Sequence, residues 1–340
     1  KHKAFYYGFL DIFYKESQIP IKKFGNLASI DSYGFPKFIE NLDMKCNSII
    51  NSVNYAKKIL KRNKVKIIFG YDQIEEILPL VIAAKLLDIK VVTYQHGVLT
   101  RFHAGWMAPE IDKNFCNLKS DKLIVWGEFW KQNVLANSFK YQEKDIVVGK
   151  HLNKDMNRKG LNDFSKKLKH KKNISLLYPY EFMANHKNVK KFFKKFLDAG
   201  AKITVKLRAQ STNDPAGGDL WRDSRSYPKD IREKINFVYD LNDEEIVSSF
   251  DAVLCTQSTY ALEMMKLNMP IWYLETDLNF IDFVTINKIA HSVTFDDASK
   301  ILERKDVYSN FFMPLYDENK YNSLFSQESS DQSIINQILF

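Results

Sequence analysis

"KVKIIFGYDQIEEILPLVIAAKLLDIKVVTYQHG", residues 64–97, decides how this chain folds. Residues 64–70 form a short apolar run closed by Gly70, the pattern of a strand. Residues 72–88 follow with an apolar face at helical spacing, and Asp72 stands where an N-cap would. Residues 89–94 return to β-branched and aromatic types. Strand, helix and strand joined by short links make a βαβ unit, and such a unit implies a parallel sheet. The second strand runs out into Gln95, His96 and Gly97. Ligands of open parallel sheets bind at such carboxyl ends, so these three residues are the first candidates for chemistry.

Working outward, the pattern recurs. Residues 121–127 read as a strand, 128–138 as a helix and 144–149 as a strand. After a lysine-rich stretch a second series begins: strand 173–180, helix 188–200 ended by Gly200, strand 201–208 and a long polar loop over 213–228. Strand 235–240, a helix begun by Asn242, strand 251–256, helix 258–268 and strand 269–275 complete it. No short repeat appears, so the chain is two α/β units and not a solenoid. The expected domains are 1–155 and 156–325, with a short amphipathic C-terminal helix over 326–340. The first sixty residues resist assignment. Their aromatics, "FYYGFLDIFY" at 5–14, suggest buried or interface structure without fixing an element.

Composition narrows the class. The chain has 340 residues, 45% of them hydrophobic, enough for two separate cores. Its longest apolar stretch, residues 77–89, is interrupted by Lys85 and Asp88, short of the run of about 18 apolar residues that a membrane helix needs. Cys46, Cys116 and Cys255 are scattered, which argues against a disulfide framework or a structural zinc site and for a reducing, cytoplasmic setting. The chain opens on Lys1 without a signal-peptide pattern, as a trimmed N-terminus would. Net charge is +9, concentrated in 158–173 and 187–196. Such segments are either solvated lysine faces or a seat for an anionic membrane. Nucleic acid is not an expected partner, because no zinc finger, RNP-type motif or helix-turn-helix is present.

Chemistry gathers at two places. His96, on a strand end before Gly97, suits a general base or a donor to a phosphate, or else a structural hydrogen bond holding the loop. Gly97 would let a ligand approach the backbone, and His103 lies on the loop that follows. Asp72, Glu75 and Glu76 open the preceding helix, where they either complement its dipole or face an acceptor; Glu75 or Asp72 is the favoured carboxylate. In the second half, "CTQSTYALEMMKLNMPIWYL" is a polar turn, a helix and a strand. Ser258 and Thr259 at that helix start are either a phosphate site or a plain N-cap, and Glu263 stands one turn further in, where it would accept bonds from ribose hydroxyls. Lys206 and Arg208 end a strand with cationic groups suited to phosphate or carboxylate. Glu181 and His186 follow another strand, and Tyr178 or Tyr180 would stack on a base or be buried. No Asp-X-Asp in a strand-end context suggests a bound metal, and no resident cofactor is expected.

The run Ser258-Thr259-Tyr260-Ala261-Leu262-Glu263 followed by Met269-Pro270-Ile271 resembles the nucleotide-binding element of GT-B glycosyltransferases. Gln95-His96-Gly97 is similar to the Gln-His-Gly of bacterial surface-polysaccharide transferases, Kdo transferases and relatives that use CMP-activated ulosonic acids among them. A looser His-Gly similarity points to the CDP-glycerol glycerophosphotransferases. The resemblance implies an α/β, GT-B-like fold of two Rossmann-like domains facing each other across a cleft. It implies a metal-independent glycosyltransferase taking a nucleotide-sugar donor, CMP-linked by this motif, and a surface glycan or lipid-linked acceptor. Such an enzyme would be cytoplasmic and peripheral on the inner face of the membrane. One departure stands out: Arg208-Ala209 occupies the place where many of these enzymes carry His-Pro. The alternatives are a CDP-alditol phosphotransferase, another nucleotide-sugar transferase, or a basic RNA- or membrane-binding module without catalysis.

Overall fold

In the computed structural model, the residues described are 35–71, 78–99, 119–138, 140–151, 173–179, 187–207, 227–238, 241–256, 259–276, 288–303, 307–326 and 331–339. The chain divides into two compact units, Lys1–Gly149 with Glu328–Phe340, and Lys150–Gln327. Among the described residues no helix is long and apolar enough to cross a membrane.

The first unit opens with α1 (Phe35–Arg62), a 28-residue helix within the stretch that resisted assignment from sequence. Pro36 fits the first turn, where its missing N–H is one that the helix leaves unpaired anyway. Val53, Ala56 and Leu60, spaced along one face, are buried against Val81, Ala83 and Ala84 of α2 (Leu78–Lys85). Lys61 and Arg62 in the last turn of α1 complement its dipole. The expected helix over 72–88 is thus described from Leu78 onward, and its start at Asp72 lies outside the described residues.

The sheet of this unit consists of β1 (Ile67–Gly70), β2 (Lys90–Tyr94), β3 (Lys122–Val125) and β4 (Ile146–Val148), in that order and all parallel. Helix α3 (Glu128–Asn137) joins β3 to β4. Four of the five residues of β2 are buried, as in a strand covered on both faces, whereas Ile67 and Phe69 of β1 remain exposed. Gly149 closes β4 because nothing larger fits: a Cβ there would stand 2.6 Å from Ile124. The last helix, α10 (Asp331–Leu339), returns from the far end of the chain to pack beside β4, with Ile334 near Gly149.

The second unit carries a six-stranded sheet of β5 (Ser175–Pro179), β6 (Lys202–Lys206), β7 (Ile235–Val238), β8 (Ala252–Cys255), β9 (Ile271–Leu274) and β10 (His291–Val293). All pairings are parallel, and the order across the sheet is β10-β9-β8-β5-β6-β7. The chain therefore runs outward from β5 to β7, returns to the middle at β8 and runs outward the other way. Between β5 and β8 the direction of progression reverses.

The helices cover this sheet by recognisable local rules. In α4 (Lys187–Asp198), Val189, Phe192, Phe193 and Phe196 are buried at helical spacing. Gly200 follows at φ +83°, a left-handed conformation that glycine adopts without steric cost. A short helix, α5 (Lys229–Arg232), precedes β7. Asn242 caps α6 (Asp243–Ser249): its side chain accepts from Glu245 N at 2.9 Å, and the Glu245 carboxylate accepts from Asn242 N at 2.8 Å. The core beneath includes Leu176, Leu254 and Trp272, whose indole N–H donates to Phe311 O at 2.6 Å.

One expectation is corrected. The helix expected over 258–268 is a five-residue α7 (Thr259–Glu263) that tightens at once into a 3-10 turn, Met264–Leu267. Asn268 at φ 56°, in the left-handed region, then ends it before Pro270. Two further helices that the sequence reading did not resolve, α8 (Asp297–Glu303) and α9 (Glu318–Leu324), follow among the described residues.

Candidate functional site

The end of β2 is built around an amide. Gln95 is fully buried. Its backbone N–H donates to Ile124 O at 2.9 Å, and its carbonyl accepts from the Trp126 indole N–H at 2.7 Å. Its side-chain oxygen accepts from Trp126 N at 3.0 Å, while Nε2 donates to Gly97 O at 2.9 Å. Buried polar groups of this kind must be paired to be tolerated, and here the pairing ties the ends of β2 and β3 together. Gln95 is thus a structural residue of the loop, not a group available to a ligand. His96, the next residue, is exposed, with its ring 6.2 Å from that of Tyr71 at the end of β1. A Cβ on Gly97 would meet nothing within 4 Å, so its described neighbours do not demand a glycine. Asp72, Glu75, Glu76 and His103 lie outside the described residues.

The second unit places its chemistry where strand order reverses. Parallel sheets open a crevice at such a point, because the connections on its two sides leave in opposite directions. Tyr178, one residue before the end of β5, and Thr256, just after β8, flank it; their hydroxyls are 3.5 Å apart and both side chains are buried. Tyr178 also packs edge-on against Phe193, at 5.0 Å and 83°. Of the two roles open to Tyr178, stacking on a base or burial, burial is the one observed: the ring belongs to the core. Tyr180, Glu181 and His186 lie outside the described residues.

Lys206, the last residue of β6, is half-buried, with Nζ 4.8 Å from the centre of the Tyr260 ring. The ammonium lies over the electron-rich face of the phenol, which attracts it. Tyr260 and Glu263 are both half-buried on α7. Burial first, then the neighbouring carboxylates Glu263 and Asp243, push the Tyr260 phenol above its ordinary range, so it stays protonated and can donate. Arg208 and Ser258 lie outside the described residues, and of Thr259 only its place as the first residue of α7 is described.

Behind this group sits a buried charge. Lys266, in the 3-10 turn after α7, is 5% exposed and pairs with Asp243 of α6 at 3.1 Å. Burial, with Lys266 adding to it, holds the nearby His151 down at about 4, neutral at physiological pH. The His151 ring meets Phe325 edge-on at 5.6 Å. Sequence reasoning missed Tyr260, Asp243 and Lys266. An aromatic and a lysine on a helix carry no signal of a site by themselves, and only the strand order brings Tyr260 beside Lys206. Among the described residues no three His, Cys, Asp or Glu side chains gather as a metal site would need.

No protein-family model matches this chain, and no curated protein matches its sequence. Solved structures do resemble it. UDP-GlcNAc 2-epimerase from Neisseria meningitidis, bound to UDP-GlcNAc, matches with a TM-score of 0.50 at 12% identity, over 82% of this chain and 79% of that one. UDP-GlcNAc 2-epimerase from Methanocaldococcus jannaschii gives 0.48 at 14% identity, over 96% and 88%. MurG from Acinetobacter baumannii gives 0.46 at 14% identity, over 96% and 86%. The architecture is thus α/β and GT-B-like, with two Rossmann-like domains of parallel sheet.

Proposed function

We propose that this chain binds a nucleotide-activated sugar at the carboxyl edge of its second sheet and transfers the sugar to a glycan or glycolipid acceptor. The observation that carries this reading is the gathering of Lys206, Tyr260 and Glu263 beside the reversal of strand order. Each group suits one part of such a donor. The ammonium of Lys206 would attract a phosphate, the protonated Tyr260 phenol would donate to it, and the Glu263 carboxylate would accept from ribose hydroxyls. Ser258 and Thr259 join this donor site on the strength of the motif, Arg208 by its charge two residues beyond Lys206, and Glu181 by its place in the stretch that follows β5. Charge on the departing nucleotide would be stabilised by the cations and donors already in position. On the acceptor side, His96 is the proposed base, with Asp72 or Glu75 as the alternative carboxylate. A cytoplasmic seat near lipid-linked acceptors belongs to the same proposal.

Two observations bear on the nucleotide. Gln95-His96-Gly97 favours a CMP-linked ulosonic acid, whereas the fold shared with a UDP-GlcNAc-bound epimerase favours a UDP-sugar. The epimerase likeness also supports a second reading, in which the sugar is isomerised on its nucleotide instead of transferred. Calorimetric titration with CMP, CDP, UDP and GDP separates the donors, and product analysis with the matching nucleotide sugar separates transfer from isomerisation. Glu263→Ala should weaken the preferred nucleotide roughly ten- to hundredfold, the worth of hydrogen bonds to a charged group. Failure of all four nucleotides to bind, or an unchanged affinity in a normally folded Glu263→Ala protein, would remove the donor site from this edge.

A further inference from the structure

The outer side of α4 is a cationic stripe with a fixed aromatic beside it. Its inner side is consumed by Val189, Phe192, Phe193 and Phe196. Lys187, Lys191 and Lys194 stand exposed at i, i+4 and i+7, one above another over about 10 Å of helix. Half-buried Lys190 and Lys195 flank them. Three acids act on this face: Asp198 accepts from Lys194 at 2.9 Å, Asp230 adds its field at Lys194, and Asp296 lies 3.8 Å from Lys195. Lys187 and Lys191 have no acidic partner among the described residues, so the stripe keeps net positive charge.

Phe295 supplies the second feature. It is 43% exposed, in the turn between β10 and α8. Its ring meets Phe192 edge-on at 5.6 Å, and Lys195 Nζ sits 4.3 Å from its centre while donating to its carbonyl at 2.7 Å. The ring is therefore held outward by the same helix that carries the lysines. Unpaired lysines alone would be a solvated face. A large apolar ring fixed among them matches the boundary of an anionic bilayer, where cations meet headgroups and an aromatic enters the apolar margin. Single-stranded nucleic acid fits less well, since one ring offers no platform for successive bases.

We infer that α4 and Phe295 form a docking face for an anionic lipid surface. This face is separate from the donor site and does not depend on the glycosyl-transfer reading. The full chain is sedimented with phosphatidylcholine vesicles, with and without phosphatidylglycerol, at low and high salt. Binding is expected only with phosphatidylglycerol, and falls as salt rises. The double variant Lys187→Gln/Lys191→Gln should lower partitioning roughly 25-fold, about fivefold for each lysine, with melting temperature and nucleotide affinity unchanged. Phe295→Trp, which preserves the packing, should gain a blue-shifted emission on the phosphatidylglycerol vesicles alone. Absence of binding at low salt, equal binding to pure phosphatidylcholine, or a double variant that binds like its parent would each overturn the inference. The last outcome would hand lipid binding to another basic segment. An RNA oligonucleotide bound through Lys187 and Lys191 in place of the vesicles would overturn it as well.

Discussion

The two sheets are built from the same strand–helix–strand unit, yet they treat their carboxyl ends differently. In the first sheet each described strand adds beyond the last, β1-β2-β3-β4, and no reversal occurs. The end of β2 is accordingly filled: Gln95 closes it with bonds to β3, to Trp126 and to Gly97, and presents only His96 outward. In the second sheet the order turns back on itself at β5 and β8, and titratable groups collect there, from Lys206 through Tyr260 and Glu263 to the buried Lys266–Asp243 pair. A strand end without a reversal serves as a rigid mount for one side chain. A strand end at a reversal has room for a constellation.

That contrast breaks most sharply at adjacent residues. His96→Ala should lower turnover by about 10²–10⁴ if the imidazole moves a proton, and the melting temperature should barely change because the ring is exposed. Gln95→Ala should do the reverse. It strands the buried Trp126 N–H and leaves a void, a loss of about 3 kcal/mol by denaturant titration, while turnover of each folded molecule stays close to normal. If His96→Ala were destabilised yet fully active, and Gln95→Ala stable yet dead, mount and reactive group would have to exchange names.

The smallest effect sharpens the other side of the comparison. His151 has an ordinary pKa of 6.5 and a folded value of about 4. Between those values the unfolded chain binds the proton that the folded one refuses, so stability is complete above 6.5 and is lost as pH falls toward 4. The loss should be on the order of 2 kcal/mol, partial exposure screening the rest. His151→Gln should flatten this part of the stability–pH curve. An unchanged slope in the variant would assign the acid sensitivity of the second unit to other groups.

Much of the fold was legible because local chemistry and global pattern agree. Gly200 and Asn242 end and start helices for the reasons that single them out in the sequence, and β2 and β8 are almost wholly buried because both faces are covered. Helix α1 was not legible because its buried face rests on a few well-separated apolar residues, Val53, Ala56 and Leu60, with no strong cap to mark its start. The helix over 258–268 was read too long, because nothing local says that the chain will tighten after Glu263. At the site, His96 and Gln95 were both legible as strand-end residues, but the bonds that bury Gln95 were not. Its partner Trp126 lies 31 residues away, just past a strand whose adjacency the sequence does not state. Tyr260 and Lys206 were separately visible as residue types; that they form a pair follows only from the order of strands.

Helix α10 has a consequence for the timing of folding. It belongs to the first unit, against β4, although it comes last in the chain. Domains emerging from the ribosome tend to fold in the order of synthesis, but here that order is inverted. The described strands and helices of the second unit all lie before Gln327, whereas β4 of the first unit, already packed by α3, gains α10 only when residues 331–339 emerge. A nascent chain halted before Asp331 would therefore hold every described element of the second unit while β4 of the first still lacked its contact with α10.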